Sequence, residues 1–223
     1  VYHFYDPIYN QGLLSSFLPA YDWAENTKAQ AMISPQYALL SKLMSLFSSN
    51  SDYSFDRAVY EYVNGDKQRG LETLGHVVHL VEDMAVPAHT RDDQHLNGDY
   101  YETYATKYNS ETINDISGEL VESGEKSKKL SSLFDYFFSL ANYSNNNFFS
   151  GDTINDKKYI EPKIDFEKKD LNNGITFGYK NLKGEKFKLV RIKEKKKISN
   201  FNKIDKEFFI DDANSLIISD YWS

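Results

Sequence analysis

GHVVHLVEDMAVPAHTRDDQH, residues 75–95, carries four of the chain's five histidines; the fifth is His3. The stretch begins inside a helix: Leu71, Leu74, Val78 and Val81 recur at helical spacing across Lys67–Met84. On such a helix His79 and Asp83 lie one turn apart on the same face, so both can grip one cation. Pro87 follows Asp83 by four residues. It has no N–H for the Asp83 carbonyl and its ring crowds that carbonyl, so the helix stops or kinks there. His89 then leaves at a new angle. A helix face and a residue beyond the kink can line a pocket from two directions. His76 reads as a core or supporting residue rather than a ligand. Asp92 and Asp93 read as surface or capping residues.

The rest of the chain limits the chemistry. It has 223 residues, enough for one large domain or one domain with an insertion. Hydrophobic residues make up 40% and charged residues 26%, so a folded core is expected. There is no cysteine, which excludes disulfides and thiolate metal sites. A metal here must be held by His, Asp, Glu, backbone or water, which suits zinc, manganese or magnesium. The net charge is -7, but ten Lys/Arg against two Glu between Lys180 and Lys203 give a local +8, leaving -15 elsewhere. That segment reads as a solvated lysine-rich hairpin, with contact to phosphates or an anionic membrane surface as the functional alternative. No apolar run approaches the roughly 20 residues that cross a bilayer. No signal peptide is visible. The chain starts at Val1 and ends in apolar sequence, so a chain trimmed upstream, and cut at its end as well, is expected.

Outward from the histidine stretch, residues 1–20 read as irregular, broken by Pro7, Gly12 and Pro19. A helical pattern runs from Tyr21 to Phe47, divided at Pro35. Further helices are expected from Phe55 to Tyr62, from Asp99 to Tyr108 and within 112–142. GITFGYKNLKGEKFKLVRIKE reads as a β-hairpin, KEFFIDD as an added strand, and DANSLIISDYW as a short helix capped by Asp211 or Asp212. The expected architecture is mainly α: a helical metal-binding domain over 1–150, then a lysine-rich β-containing insertion and the start of a C-terminal helix over 151–223.

The pattern His79-x3-Asp83-x5-His89, with Pro87 two residues before the last histidine, resembles the core motif of zinc-dependent phospholipase C. The same superfamily contains the single-strand-specific zinc nucleases. HFYDP at 3–7 resembles a second stretch of the bacterial phospholipases. Together the matched stretches, 1–7 and 71–105, cover about a fifth of the chain. The resemblance implies a multi-helix catalytic domain holding two or three zinc ions. His3 and His79 would bind the first ion, and His89 the second. Asp83 would bridge the first and third ions, which makes it the expected catalytic residue. Glu102 matches the family's glutamate ligand of the second ion. The chain departs from the pattern at Gly98, where the family has a histidine; His95, three residues earlier, is the candidate substitute. Other ligands of the family, a terminal Trp amine, a nearby His and an Asp, would precede residue 1, and Trp23 does not replace them.

The leading expectation is therefore a secreted, zinc-dependent phosphodiesterase of the phospholipase C type, releasing diacylglycerol and a phosphorylated headgroup. Tyr143, Phe148 and Phe149 are candidates for the lipid side of its site. A single-strand nuclease is the second reading, favoured by the lysine segment and opposed by the acidic body. The third is a degenerate, non-catalytic zinc-binding module, kept open by Gly98.

Overall fold

Ser54 and Asp66 start two consecutive helices, Phe55–Asn64 and Lys67–Glu82, by accepting their first free N–H groups. Ser54 Oγ accepts from Arg57 N, and Asp66 Oδ1 accepts from Gln68 N and Arg69 N. Gly70 lets the pair cross closely: a Cβ there would lie 2.7 Å from Tyr62 N. These features come from a computed structural model, which describes residues 2–25, 27–31, 52–96, 98–106, 110–124, 126, 128–172, 174–182, 184–195 and 205–210. The expected helix beyond Ala31, with its division at Pro35, and the C-terminal helix with its Asp211 or Asp212 cap lie outside the described residues.

The chain forms two compact units, one of residues 1–92 and 130–144, the other of 93–129 and 145–223. The first is helical. Besides the two helices above it contains Ala20–Glu25, Thr27–Ala31, the short Pro87–Thr90 and most of Leu133–Asn147. Its core joins Tyr5, Ala20, Ala24, Val77, Leu80, Met84, Phe137 and Ala141. Burying an aliphatic side chain such as Val77 or Leu80 stabilises by about 1.5–3 kcal/mol. The inward face of Lys67–Glu82 is Gly70, Thr73, Val77 and Leu80. Of the anticipated stripe, Leu71, Leu74 and Val78 are exposed, while Val81 packs against the core. Leu71 and Leu74 join Phe55, Val59, Tyr62 and Val63 in lining a groove of about 370 Å³. Periodicity gives the repeat but not the phase, and two stripes one residue apart compete here. The small residues Gly70 and Thr73 permit the closer packing.

The second unit carries helices Tyr100–Ala105 and Ser110–Glu122 and a four-stranded antiparallel sheet. The strands β1 (Phe166–Lys169), β2 (Thr176–Leu182), β3 (Glu185–Lys195) and β4 (Asp205–Phe209) follow one another as neighbours. The anticipated hairpin is β2–β3, with Leu182 opposite Glu185 and Gly184 at φ +95°, a conformation glycine adopts without steric cost. KEFFIDD supplies β4, paired to β3. β1 pairs to β2 on the other side and was not anticipated. FEKK has no alternation because all four residues of this edge strand are exposed. One sheet core gathers Phe149, Leu189, Val190 and Ile192; another places Phe177 with Tyr101, Tyr104 and Tyr179.

The sheet overturns the mainly α expectation. The described residues are 46% helical and 16% strand, a mixed architecture. The physical reason is that the hairpin recruits a neighbour on each side and, with them, buries a core of its own. Among the described residues no helix is long and apolar enough to cross a membrane.

Candidate metal centre

The N-terminal stretch is held against the histidine motif by its backbone. Tyr5 N donates to His89 O at 3.0 Å, and Ala20 N donates to Phe4 O at 2.9 Å. Phe4 and Tyr5 are buried, and the Phe4 ring lies 4.7 Å from the His89 ring. Burial, followed by the nearby Tyr21 and acidic groups, pushes the Tyr5 hydroxyl up to about 12, so it stays neutral. Asp6 Oδ1 accepts from Ile8 N and Tyr9 N, closing a turn over Pro7. The HFYDP stretch thus anchors two residues and turns away, leaving His3 beside the motif.

The helix that carries His79 ends at Glu82; Asp83–Ala85 forms a 3-10 turn, and Pro87 opens the next short helix. This is the break that Pro87 imposes. The Asp83 carbonyl instead accepts from Val86 N at 3.0 Å, and His89 N donates to Val86 O at 3.1 Å. The tight path brings His89 back over Asp83. The Asp83 side chain is then met from three sides. His3 Nδ1 is 2.6 Å from its Oδ2, His79 Nε2 is 3.6 Å from the same oxygen, and His89 Nδ1 is 3.4 Å from Oδ1.

Burial by itself would raise the Asp83 carboxyl. Hydrogen bonding and positive charge from His3 and His89 outweigh it and bring the group down to about 2. Asp83 is therefore an anion at neutral pH and needs to lose no proton to bind a cation. Asp83 and His89 are buried, whereas the His3 and His79 side chains are 43% and 58% exposed. The cluster has a closed floor and an open rim.

These residues fit a metal ion. The ligand atoms of His3, His79 and Asp83 all lie within 4.8 Å of one another. Four-coordinate zinc with bonds of about 2.0–2.1 Å sets neighbouring ligand atoms roughly 3.3–3.5 Å apart. The His79–Asp83 and His89–Asp83 distances are close to that value. The His3–Asp83 contact is shorter, a hydrogen bond whose proton must leave before His3 Nδ1 can bind an ion. The imidazole and carboxylate donors suit zinc, manganese or magnesium.

The second unit holds the other two expected ligands. His95 Nε2 lies 3.8 Å from Glu102 Oε1. Glu102 lies in the first turn of Tyr100–Ala105, whose cap Asp99 accepts from Glu102 N at 2.9 Å. Asp99 is itself pushed up, first by burial, with Glu102 adding repulsion. Gly98, where the resemblance would place a histidine, sits at φ +91°, where any side chain is strained.

Other singled-out residues lie elsewhere. The His76 ring packs on Tyr53 with centroids 4.2 Å apart. Trp23 stacks on Tyr2 at 3.9 Å. Phe149 is a core residue and Phe148 packs against it, so neither is an open lipid-facing ring; Tyr143 is exposed. Asp92 Oδ1 accepts from Leu14 N, a loop-capping role. Asp93 is buried rather than on the surface, at 2% exposed, and takes the capping alternative: its Oδ1 accepts from His95 N. The Asp-x-His spacing of 93–95 was the available signal, because Asp commonly bonds the N–H two residues on.

Comparison with known proteins yields no match to a family model, to a curated protein or to a solved structure.

Proposed function

We propose that the chain is a zinc-dependent phosphodiesterase of the phospholipase C type. The observation that carries the reading is the Asp83 cluster: a buried, ionised carboxylate met by three imidazoles, two of which are open to solvent. That arrangement suits a site that must hold a cation and still admit a substrate.

In this reading His3 Nδ1, His79 Nε2 and the Asp83 carboxylate hold the first ion. His89 braces the carboxylate from its buried side. His95 Nε2 and Glu102 are ligands offered by the second unit. When bound, zinc supplies Lewis-acid polarisation of a phosphoryl oxygen and makes water acidic enough to act near neutral pH. Asp83 stays negatively charged and keeps the imidazoles oriented, while the exposed edges of His3 and His79 leave a way in for a phosphodiester. No serine or cysteine nucleophile is required. The lysines of β3 suit an anionic phospholipid surface: Lys186 and Lys188 project above Phe166 and Tyr179, whose rings stack in parallel. Secretion belongs to the same reading.

The test is hydrolysis of phosphatidylcholine vesicles by the zinc-loaded chain, run beside single-stranded DNA. Headgroup release that a chelator abolishes and zinc restores supports the proposal. Cleavage of DNA alone would assign the chain to the nuclease reading. Zinc binding with neither activity would leave a non-catalytic metal-binding module.

A further inference from the structure

We infer that Asp93 is a positioning residue: its buried carboxylate holds the turn that aims His95 Nε2 at Glu102, so that these two side chains can hold a divalent cation although the neighbouring position 98 is glycine. The inference rests on the proposed role of His95 and Glu102 as metal ligands.

Both Asp93 oxygens are engaged by backbone. Oδ1 accepts from His95 N at 3.0 Å, and Oδ2 accepts from Asp152 N at 2.9 Å. The second bond ties the histidine turn to the segment around 150–153. There Ser150 Oγ and Thr153 Oγ1, both on buried residues, lie 2.6 Å apart. Asp93 is thus a clasp between two loops of one unit, and a carboxylate is the side chain that can accept at both oxygens.

The clasp has something to hold. His95 has φ +33°, a conformation that strains a non-glycine residue and persists only where its surroundings impose it. The imposed bonds are the one from His95 N to the Asp93 carboxylate and one from the ring. His95 Nδ1 lies 2.8 Å from Asp93 O. A backbone carbonyl can only accept, so Nδ1 carries the hydrogen and Nε2 keeps its lone pair. That nitrogen is the one 3.8 Å from Glu102 Oε1, too long for a hydrogen bond and somewhat wider than two ligands of one tetrahedral zinc, which a bound ion would draw together. Residue 93 therefore sets both the turn and the tautomer. Outer partners of this kind orient metal-binding histidines and typically change affinity roughly 10–100-fold when removed.

Two measurements on the full chain test this. The first is a long-range 1H–15N spectrum of histidine-labelled, metal-free protein at a pH where His95 is neutral. The Nδ1–H tautomer at His95 is expected, with a shift toward the Nε2–H form in Asp93→Asn. Nε2–H in the unaltered chain overturns the inference. The second is zinc binding by competition with a chromophoric chelator, using Asp93→Asn, His95→Ala and Glu102→Ala. Asp93→Asn is expected to weaken the ion lost in the other two variants by roughly 10–100-fold while the ion at Asp83 stays bound. Unaltered affinity in Asp93→Asn, with the ion still lost in His95→Ala, removes the positioning role alone. Unaltered binding in His95→Ala and Glu102→Ala removes the ligand reading on which it rests. If Asp93→Asn does not fold, the tautomer of the unaltered chain still decides.

Discussion

Asp83 and Glu102 are both carboxylates set beside histidine, but their settings differ. Asp83 is buried at the end of a helix, with a separate segment, HFYDP, laid against its motif through the backbone bond from Tyr5 N to His89 O. Among the described residues, three imidazoles approach its two oxygens. Glu102 has a side chain 44% exposed and lies 3.8 Å from one imidazole of its own unit, which a strained turn presents. The first arrangement is set before any ion arrives; the second depends on a turn staying closed. A preorganised site binds more tightly because less ordering remains to be done. A strong ion is therefore expected at Asp83 and a weaker one at Glu102.

Asp83→Asn gives the largest expected effect. It removes the charge around which the first cluster is built, and zinc affinity there should fall by more than the roughly 100-fold upper end for an outer partner. Isothermal titration of zinc into the variant checks this, and an affinity loss no larger than that of Glu102→Gln would break the comparison. Gly70→Ala probes the scaffold under the same cluster. The added Cβ meets Tyr62 N at 2.7 Å, so the helices must part, at a cost of about 1–3 kcal/mol. Denaturant unfolding should show that loss, with zinc stoichiometry at saturation unchanged.

Acid provides a third break. The Asp83 carboxyl lies at about 2 in the folded chain, below its ordinary 3.8. Its contribution to stability is present above the higher value and disappears as pH falls toward the lower one, amounting to roughly 2 kcal/mol. Unfolding of the metal-free chain at pH 4.5 and at pH 2, each compared with Asp83→Asn, should show the difference between the two proteins shrinking at the lower pH. The smallest effect is expected for Glu102→Gln. Gln keeps a carbonyl oxygen that can still ligate, so zinc affinity at that site should fall by only about tenfold, whereas Glu102→Ala loses the ion.

The two arrangements also differ in how far they could be read from residues alone. His79, Asp83 and Pro87 announce themselves by spacing, because i,i+4 neighbours share a helix face and proline ends the helix. The backbone bond that brings Tyr5, and with it His3, to the motif has no local signature and joins residues more than eighty positions apart. In the second unit, the hairpin is legible through its alternation and its glycine turn, whereas β1 is not, since an exposed edge strand has no buried side to mark it. The left-handed His95 is only half marked: Asp93 two residues earlier signals the turn, but the bond from Asp93 to the 150–153 segment has no local signature. Even in the well-marked helix Lys67–Glu82, periodicity left open which of two adjacent stripes faces inward, and the small residues Gly70 and Thr73 decided it.

The most direct test of the account is zinc content per chain, by elemental analysis of protein purified without chelator, for the unaltered chain and for Asp83→Asn. The account predicts at least one zinc in the unaltered chain and one fewer in the variant. No zinc in the unaltered chain, or equal content in both proteins, would contradict a metal centre built on Asp83.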